Sequence, residues 1–336
     1  HFTGRGFEKI VGYSDPMLHV YHLITQIKSK NVTTILYGES GTGKNLVADT
    51  LHRISLRRDR PNIAVNCPAI PSDLLESELF GHEKGSFTGA IERKDGKFLA
   101  ANSGSIFLDE IGDMSPSLQA KILRVLESGE IERVGGAETI KVDVRVISAT
   151  NQSLESRINE GKFRQDLFHR INVFPITIPP LRDRKEDIIP TVLTLLKNLK
   201  KKHQISVDFI SHNAMNTLCD YDWPGNVREL ENTLERLVLI YDDPIIKSED
   251  VKNILDQNVK SDSNFEQPSE HKTITNDQSI TPNDSILEEE PKDKLFIDPN
   301  NPLTLKELER MAIESGLERT NWNITATAQQ LGISRM

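Results

Sequence analysis

Residues 33–45 read TTILYGESGTGKN and place three local signals one after another. The first five residues are β-branched, apolar or aromatic, which predicts a short buried strand. A glycine-rich stretch follows, and residues 46–54 then have the pattern of a helix. In this order the loop N–H groups and the helix N-terminus can bind phosphate, and a lysine can reach the β- and γ-phosphates. The predicted phosphate-binding residues are Gly38, Glu39, Ser40, Gly41, Thr42, Gly43, Lys44 and Asn45.

A second strand-like segment, residues 105–108, ends in an acidic pair. The carboxyl end of a parallel strand lies beside the phosphate loop in folds of this type. We expect Asp109 to hold Mg²⁺ through water and Glu110 to polarise the water that attacks the γ-phosphate of ATP. The alternative is that these carboxylates satisfy backbone groups at the strand end. With the phosphate loop, the pair indicates a P-loop nucleotide hydrolase with a doubly wound α/β core, a parallel sheet flanked by helices.

Further strands and helices continue this pattern along the chain. Strands are predicted at residues 62–66, 142–149 and 174–178. Helices are predicted at residues 187–202, 211–221 and 226–241. The order indicates an α/β core followed by a helical lid. Asn151 follows one of the strands, where its side chain could sense the γ-phosphate or cap a helix.

Two segments are not explained by a plain nucleotide-binding core. Residues 81–90, GHEKGSFTGA, have one phenylalanine and one threonine between glycines, which indicates an exposed tip that contacts a partner; a floppy surface loop is the alternative. In residues 163–170, Arg164 and Arg170 would lie on roughly one face of a helix. They could stabilise γ-phosphate charge in a neighbouring subunit's site, or only form salt bridges on an exposed helix.

The composition excludes several classes of protein. With 37% hydrophobic and 27% charged residues among 336, the chain can build a core, and wholesale disorder is not expected. No apolar run reaches about 18 residues, so no transmembrane helix is predicted. The two cysteines, Cys67 and Cys219, exclude a disulfide framework and fit buried thiols in the cytoplasm. Because the chain begins with His1 rather than Met, we expect a fragment of a longer protein.

The net charge of −9 is concentrated in one segment. Residues 256–300 carry eleven Asp/Glu and four Lys, and the rest of the chain is nearly neutral. This segment is rich in polar residues and proline, which predicts a flexible linker; an acidic partner-binding tail is the alternative. Residues 325–334 then have the pattern of a helix, a glycine turn and the start of a second helix. This indicates a helix-turn-helix, or a small helical cap, and the chain ends before a recognition helix, so we expect poor DNA binding.

Together these motifs resemble the central AAA+ domain of sigma-54-dependent transcriptional activators, the NtrC-like bacterial enhancer-binding proteins. The resemblance covers residues 10–251 and resumes in the last thirty-odd residues, which are similar to the family's Fis-type DNA-binding domain. Its most specific element is similar to the GAFTGA loop with which the family contacts sigma-54. The loop residues here are Gly85, Ser86, Phe87, Thr88, Gly89 and Ala90. Ser86 replaces the usual alanine and Asn45 the usual glutamate, and neither change removes a residue central to the expected function.

The resemblance implies roles for further residues. Asn66 lies where the family has an asparagine that couples the catalytic glutamate to the loops. Arg164 and Arg170 match the two arginine fingers that act on a neighbouring subunit's ATP. Arg228, in the segment WPGNVREL, matches the sensor II arginine that contacts the nucleotide. The implied catalytic residues are Glu110, Asp109, Arg164, Arg170 and Asn66.

The expected organisation is an AAA+ ATPase core and lid followed by a small all-α piece. The parts are an N-terminal remnant (1–9), the α/β ATPase subdomain (10–180), the helical lid (181–256), the acidic linker (257–302) and a truncated Fis-type helix-turn-helix (303–336).

The resemblance implies an ATP- and Mg²⁺-dependent activator that forms a ring, a hexamer or heptamer when active. It would convert closed complexes of sigma-54 RNA polymerase into open ones. The full-length protein would bind enhancer DNA and act as the response regulator of a two-component system, with no membrane partner. The alternatives are an AAA+ ATPase that remodels another client protein, and a DNA-binding regulator that holds nucleotide only as a structural ligand.

Overall fold

A computed structural model of the chain describes residues 10–203, 209–241 and 245–262. The predicted N-terminal remnant, the linker beyond Asp262 and the helix-turn-helix lie outside the described residues. Within the described ranges no helix is long and apolar enough to cross a membrane.

The described part of the chain alternates strands and helices before it becomes helical. The α-helices are α1 (Asp15–Gln26), α2 (Lys44–Arg53), α3 (Ser72–Phe80), α4 (Lys97–Ala100), α5 (Pro116–Ser128), α6 (Leu154–Asn159), α7 (Gln165–Ile171), α8 (Ile188–His203), α9 (His212–Asp220), α10 (Asn226–Ile240) and α11 (Ser248–Asp262). The strands are β1 (Thr34–Tyr37), β2 (Asn62–Asn66), β3 (Gly81–His82), β4 (Lys94–Asp95), β5 (Ser105–Asp109), β6 (Glu130–Glu132), β7 (Thr139–Lys141), β8 (Arg145–Thr150), β9 (Phe174–Thr177), β10 (Phe209–Ile210) and β11 (Ile245–Ile246). Two 3-10 helices span Ile111–Asp113 and Leu181–Asp187.

The central sheet is parallel and has the strand order β2-β5-β8-β1-β9. The phosphate-loop sequence follows β1, and the acidic pair ends β5, with β8 between these two strands. Parallel strands present their carboxyl ends at one edge of a sheet, so the ends of three neighbouring strands form one surface. The predicted α/β fold class is confirmed.

Helices cover both faces of this sheet. Every residue of β5 and β8 is buried, as expected for central strands of a parallel sheet. Successive side chains alternate between the faces: Ile106 packs in the core beneath α3, α5 and α7, and Phe107 packs in the core beneath α1 and α2. Polar residues lie at the carboxyl ends of these strands, Asp109 on β5 and Thr150 on β8, and both are buried.

A separate hydrophobic core holds the lid together. It is built from α8 to α11 and contains Trp223, which is fully buried and donates its Nε1–H to Leu218 O at 2.8 Å. The three helices predicted for this region are present within two residues of the predicted ends. Helix α11 was not predicted; Ile254 and Leu255 bury it in the same core. It continues to Asp262, so the first residues of the segment predicted as linker are helical.

Two small hairpins project from the core and were not predicted. Strands β3 and β4 pair antiparallel and close the loop that holds residues 83–93. Strands β6 and β7 form the second hairpin, and a bridge between His82 and Val134 joins the two. The GSFTGA segment is therefore the tip of a hairpin that rests on another hairpin.

A matched pair of leucines tests the assigned core. Leu108→Ala should lower the free energy of unfolding by about 2–5 kcal/mol, because Leu108 is fully buried and its truncation leaves a cavity. Leu56 is 82% exposed, so Leu56→Ala should change stability by no more than about 0.5 kcal/mol. Urea denaturation followed by circular dichroism measures both, and equal losses would contradict the core assignment.

Candidate functional site

The phosphate loop joins β1 to α2 through two left-handed glycines. Gly41 and Gly43 have φ angles of 79° and 102°, a region that glycine enters without steric cost. Gly43 is the N-cap of α2, and a Cβ added there would meet no atom within 4 Å. The backbone conformation, rather than crowding, requires glycine at this position. The loop thus leaves open space beside the N-terminus of α2, where an anion is favoured.

Lys44 connects this loop to the acidic pair. Its side chain is 5% exposed, and Nζ donates to Gly38 O at 2.8 Å and to Glu39 O at 3.3 Å. Nζ also lies 3.2 Å from Glu110 Oε1. The structure therefore brings together the lysine of the phosphate loop after β1 and the glutamate that follows β5.

Glu110 is held in an uncommon backbone conformation. Its φ and ψ angles are 55° and 53°, a left-handed region that is costly for a residue with a side chain. While Oε1 faces Lys44, Oε2 accepts a hydrogen bond from the backbone N–H of Asn151 at 2.9 Å. Asn151 thus positions the Glu110 carboxylate through its backbone N–H. Strain of this kind clusters at functional sites, where surrounding contacts fix the geometry.

Asp109 has a buried carboxylate oxygen that no other described group satisfies. The residue is 8% exposed, and Oδ1 has no hydrogen-bond partner among the described residues. Burial and then the charge of Glu110 raise the pKa of Asp109, and the charges of Lys44 and Arg228 oppose this shift. An orphaned carboxylate oxygen beside a phosphate loop fits a hard cation such as Mg²⁺, which prefers oxygen ligands.

The outer side of the phosphate loop is bound by the lid. Glu39 accepts two hydrogen bonds from Arg182, at 2.8 and 2.5 Å, and one from Asn226 Nδ2 at 3.1 Å. The hydrogen bond from Arg182 is the main reason why the pKa of Glu39 falls to about 2. Arg228, which is exposed, donates to Ser40 Oγ at 3.0 Å. The side chain of Glu39 therefore faces the lid, and Arg228 lies beside the phosphate loop; its contact with nucleotide stays a prediction.

Asn226 is the buried centre of this contact and was not predicted as a site residue. It is fully buried, its Oδ1 accepts from Leu181 N at 2.8 Å, and its Nδ2 donates to Ser40 O at 3.0 Å. Beside it, a Cβ on Gly41 would lie 2.2 Å from Gly225 O, so the loop and lid backbones touch. The sequence segment WPGNVREL, which contains Asn226, was recognised as a motif, but only the fold shows that the Asn226 side chain contacts the phosphate loop.

Asn66, one of the predicted catalytic residues, has a local hydrogen-bond partner. Asn66 is in register with Asp109 on the neighbouring strand, and its Oδ1 accepts from Ala69 N at 3.3 Å. Its coupling to Glu110 stays a prediction.

Arg164 lies at the N-cap of α7 with extended backbone angles, so it does not share a helical face with Arg170. Its guanidinium binds Asp166 at 3.0 and 2.6 Å. The guanidinium of Arg170 donates to Leu126 O at 3.2 and 3.0 Å. Both arginines are exposed, so a docking subunit could reach them.

The tip at residues 85–90 is closed by its own backbone. Gly85 N donates to Ala90 O at 2.8 Å, and Ala90 N donates to Phe87 O at 3.0 Å. The ring of Phe87 packs edge-on against His82, with ring centroids 5.0 Å apart, while Phe87 and Thr88 remain exposed. The predicted exposed tip is thus present, with an aromatic group and a hydroxyl available to a partner.

Three family models match consecutive parts of the chain. They are the Sigma-54 interaction domain over residues 10–177, the AAA+ ATPase lid domain over residues 182–268, and the Bacterial regulatory protein, Fis family, over residues 304–336. The first of these alone spans half of the chain.

Curated relatives and solved structures agree with these matches. The Nif-specific regulatory protein of Enterobacter agglomerans is 41% identical over 98% of this chain and 58% of its own length. The transcriptional regulatory protein ZraR of Klebsiella oxytoca is 40% identical over 97% of this chain and 66% of its own length. The crystal structure of NtrX from Brucella abortus in complex with ATP has a TM-score of 0.68 and 33% identity, covering 97% of this chain and 66% of that one. A structure of NtrX in complex with ADP gives the same values.

The chain spans about half to two thirds of the length of these relatives. It has a parallel-sheet core with a phosphate loop, a helical lid bound to that loop, and a segment that matches the Fis family. The chain therefore belongs to the family of sigma-54-dependent transcriptional activators.

Proposed function

We propose that this chain hydrolyses ATP and uses the energy to remodel closed complexes of sigma-54 RNA polymerase into open ones. The observation that carries the proposal is the Lys44–Glu110 ion pair beside the unpartnered oxygen of Asp109, at the N-terminus of α2. These groups supply a phosphate ligand, a base and a cation ligand at one strand edge. The exposed tip at residues 85–90 supports sigma-54 as the client.

Binding of ATP would change the partners of Lys44. Its ammonium group now uses Gly38 O, Glu39 O and Glu110 as acceptors. Phosphate oxygens carry more charge than the carbonyls, so the β- and γ-phosphates of ATP would draw Nζ toward them. When bound, Mg²⁺ would neutralise charge on those phosphates, and Asp109 would hold it through water.

Glu110 would then be free to act on water. As Lys44 turns to the phosphates, Oε1 loses its partner, while Oε2 stays fixed by Asn151 N. A carboxylate fixed at one oxygen can orient and polarise a water molecule with the other. From the lid, Arg228 would reach the nucleotide beside Ser40, its present partner.

Substitutions at this pair test the chemical assignment. Lys44→Ala should abolish nucleotide binding, because it removes the cation at the phosphates. Glu110→Gln should still bind ATP but hydrolyse it roughly 10²–10⁴-fold more slowly, the usual contribution of a general base. Fluorescent-nucleotide binding and steady-state phosphate release measure the two effects. Wild-type turnover in Glu110→Gln would show that another residue activates the water.

Arg164 and Arg170 would act in a ring, a hexamer or heptamer, by reaching the ATP of a neighbouring subunit. Such fingers contribute ~10³–10⁵-fold to the rate. Arg164→Ala and Glu110→Gln should each have little activity alone. Mixed before assembly, they should regain ATPase activity, because a Glu110→Gln subunit can donate its arginines to the intact site of an Arg164→Ala subunit. Phosphate release across mixing ratios measures the gain.

The matched control is a mixture of Arg164→Ala with Arg170→Ala. Every subunit then lacks one finger, so no junction has both, and activity should stay low. If the first mixture gave only the mean of its two components, the arginines would act within their own subunit and the ring mechanism would be wrong.

A substitution in the tip at residues 85–90 tests whether sigma-54 is the client protein. Thr88→Ala should keep wild-type ATPase activity, because Thr88 is exposed and far along the chain from the phosphate loop, yet it should lose binding to sigma-54. The assay is co-elution of the chain with sigma-54 in ADP–aluminium fluoride, a mimic of ATP at the hydrolysis transition state. A complex that Thr88→Ala abolishes supports sigma-54 remodelling. No complex, in a sample that hydrolyses ATP, would favour an AAA+ ATPase with another client.

The same proposal covers the wider protein. We infer that the full-length activator works in the cytoplasm, binds enhancer DNA through its Fis-type segment and responds to a signal as part of a two-component system. The match of residues 304–336 to the Fis family supports the DNA-binding part.

A further inference from the structure

A fully buried glutamine on α5 connects the segment of Arg164 to the segment that follows Glu110. The side chain of Gln119 has no exposed surface. Its Nε2 donates to Met114 O at 2.8 Å and to Lys162 O at 2.9 Å, and its Oε1 accepts from Arg164 N at 2.8 Å. Only this orientation of the amide fits, because the flipped amide would direct its oxygen at two carbonyl oxygens. Three backbone groups from two distant segments therefore meet at one side chain.

The backbone of Arg164 depends on this amide on its N-terminal side. Arg164 is the N-cap of α7 and has extended angles, so its N–H lies outside the hydrogen bonds of the helix. On its other side, Arg164 O accepts from Phe168 N at 3.1 Å within the first turn. The guanidinium is exposed and binds Asp166, two residues away. The base of this side chain is thus fixed by a buried bond to Gln119, while its charged end lies at the surface.

The other end of the connection lies beside the proposed water-activating residue. Met114, whose carbonyl Gln119 binds, is buried and closes the 3-10 helix that begins after Glu110. Within the same short helix, Asp113 forms an ion pair with Arg157 on α6, the helix that precedes the segment of Arg164. The chain after Glu110 is therefore joined twice to the part of the chain that leads to α7.

We propose that Gln119 is a positioning residue for Arg164, and that through Met114 O it holds this arginine at a fixed place relative to Glu110 of the same subunit. An arginine that acts on a neighbouring subunit's ATP must be placed accurately, because a displacement of about 1 Å can lower a rate roughly 10²-fold. The inference rests on the proposed function, since Gln119 matters for hydrolysis only if Arg164 reaches that ATP.

Gln119→Met tests the positioning role at nearly constant volume. It removes the hydrogen bonds to both carbonyls and to Arg164 N. We expect kcat for ATP hydrolysis to fall roughly 10²-fold, because Arg164 is displaced. Nucleotide affinity should stay close to that of the wild type, because Lys44 and the phosphate loop are unchanged. The matched control is Gln26→Met, which removes an exposed amide on α1 and should keep wild-type turnover.

Two mixtures of subunits separate a displaced arginine from a damaged ATP site. Gln119→Met mixed with Glu110→Gln before assembly should regain ATPase activity, because the Glu110→Gln subunits supply intact arginines to the intact sites of their neighbours. Gln119→Met mixed with Arg164→Ala should stay low, because every subunit then lacks a working Arg164. If Gln119 served its own site instead, the two mixtures would give the opposite results. That pattern, a gain in neither mixture, or wild-type turnover in Gln119→Met would overturn the inference.

A second variant and a measurement on the wild type cover a failure of Gln119→Met to fold. Gln119→Asn keeps an amide one methylene short of its partners and should give the same results in both mixtures. In the wild type, the Arg164 amide should exchange hydrogen more slowly than that of Gln165, which as the first amide of α7 has no intrahelical partner. Equally fast exchange at both residues would overturn the inference.

Failure of the proposed function would be recognised separately. A wild-type chain without ATP turnover, or no gain when Arg164→Ala is mixed with Glu110→Gln, would contradict hydrolysis or the action of Arg164 on a neighbour. A gain in that reference mixture, without one when Gln119→Met replaces Arg164→Ala, would contradict only the role of Gln119.

Discussion

The side-chain amide of Asn226 is the contact on which the arrangement of the nucleotide site depends. It accepts from the start of the lid at Leu181 N and donates to the phosphate loop at Ser40 O and Glu39 Oε2. Only a side chain with both a donor and an acceptor can do this. An aspartate would replace the donor with a second negative charge against Glu39, and a buried unsatisfied carbonyl would remain at Ser40. The lid and the loop therefore cannot move independently while this amide is in place.

The inner side of the loop differs, because under the proposed function its main contact, that of Lys44, would change partners when nucleotide binds. Lys44 is buried among two carbonyls and Glu110, and a buried ion pair is held in place only while no better partner is present. The left-handed backbone of Glu110 keeps its carboxylate between Lys44 and Asn151 N. With the outer face fixed by the lid, nucleotide bound as proposed would change the electrostatics of the inner face while the contacts between loop and lid stay in place.

Local sequence patterns predicted the parts of this fold whose causes are local. Strand β2 lies where its pattern placed it, at residues 62–66, and α2, predicted at residues 46–54, spans Lys44–Arg53. Both were found because apolar runs, glycines and helix periods act over a few residues. The loop–lid contacts join residues more than 140 positions apart, such as Arg182 and Glu39, and no local pattern encodes them. The hairpin strands β3 and β4 are two residues long, too short to show a period of two. Arg164 illustrates a third limit: a helix period places it on α7, whereas its extended backbone makes it the cap.

The tip at residues 85–90 combines exposure with a fixed base. Arg133, 4% exposed on the β6–β7 hairpin, bonds to Glu83 and Asp95 on either side of the tip, at 3.4 and 2.9 Å. Ser86 packs closely against Gly135: a Cβ added to Gly135 would lie 2.6 Å from the Cβ of Ser86. The hydroxyl of Ser86 is buried and has no hydrogen-bond partner among the described residues. Burying an unpaired hydroxyl costs free energy relative to a position in which water reaches it. The base is thus held to the second hairpin by charge and by backbone hydrogen bonds between Glu83 N and Val134 O and between Val134 N and Gly81 O, whereas the tip rests on that hairpin by packing.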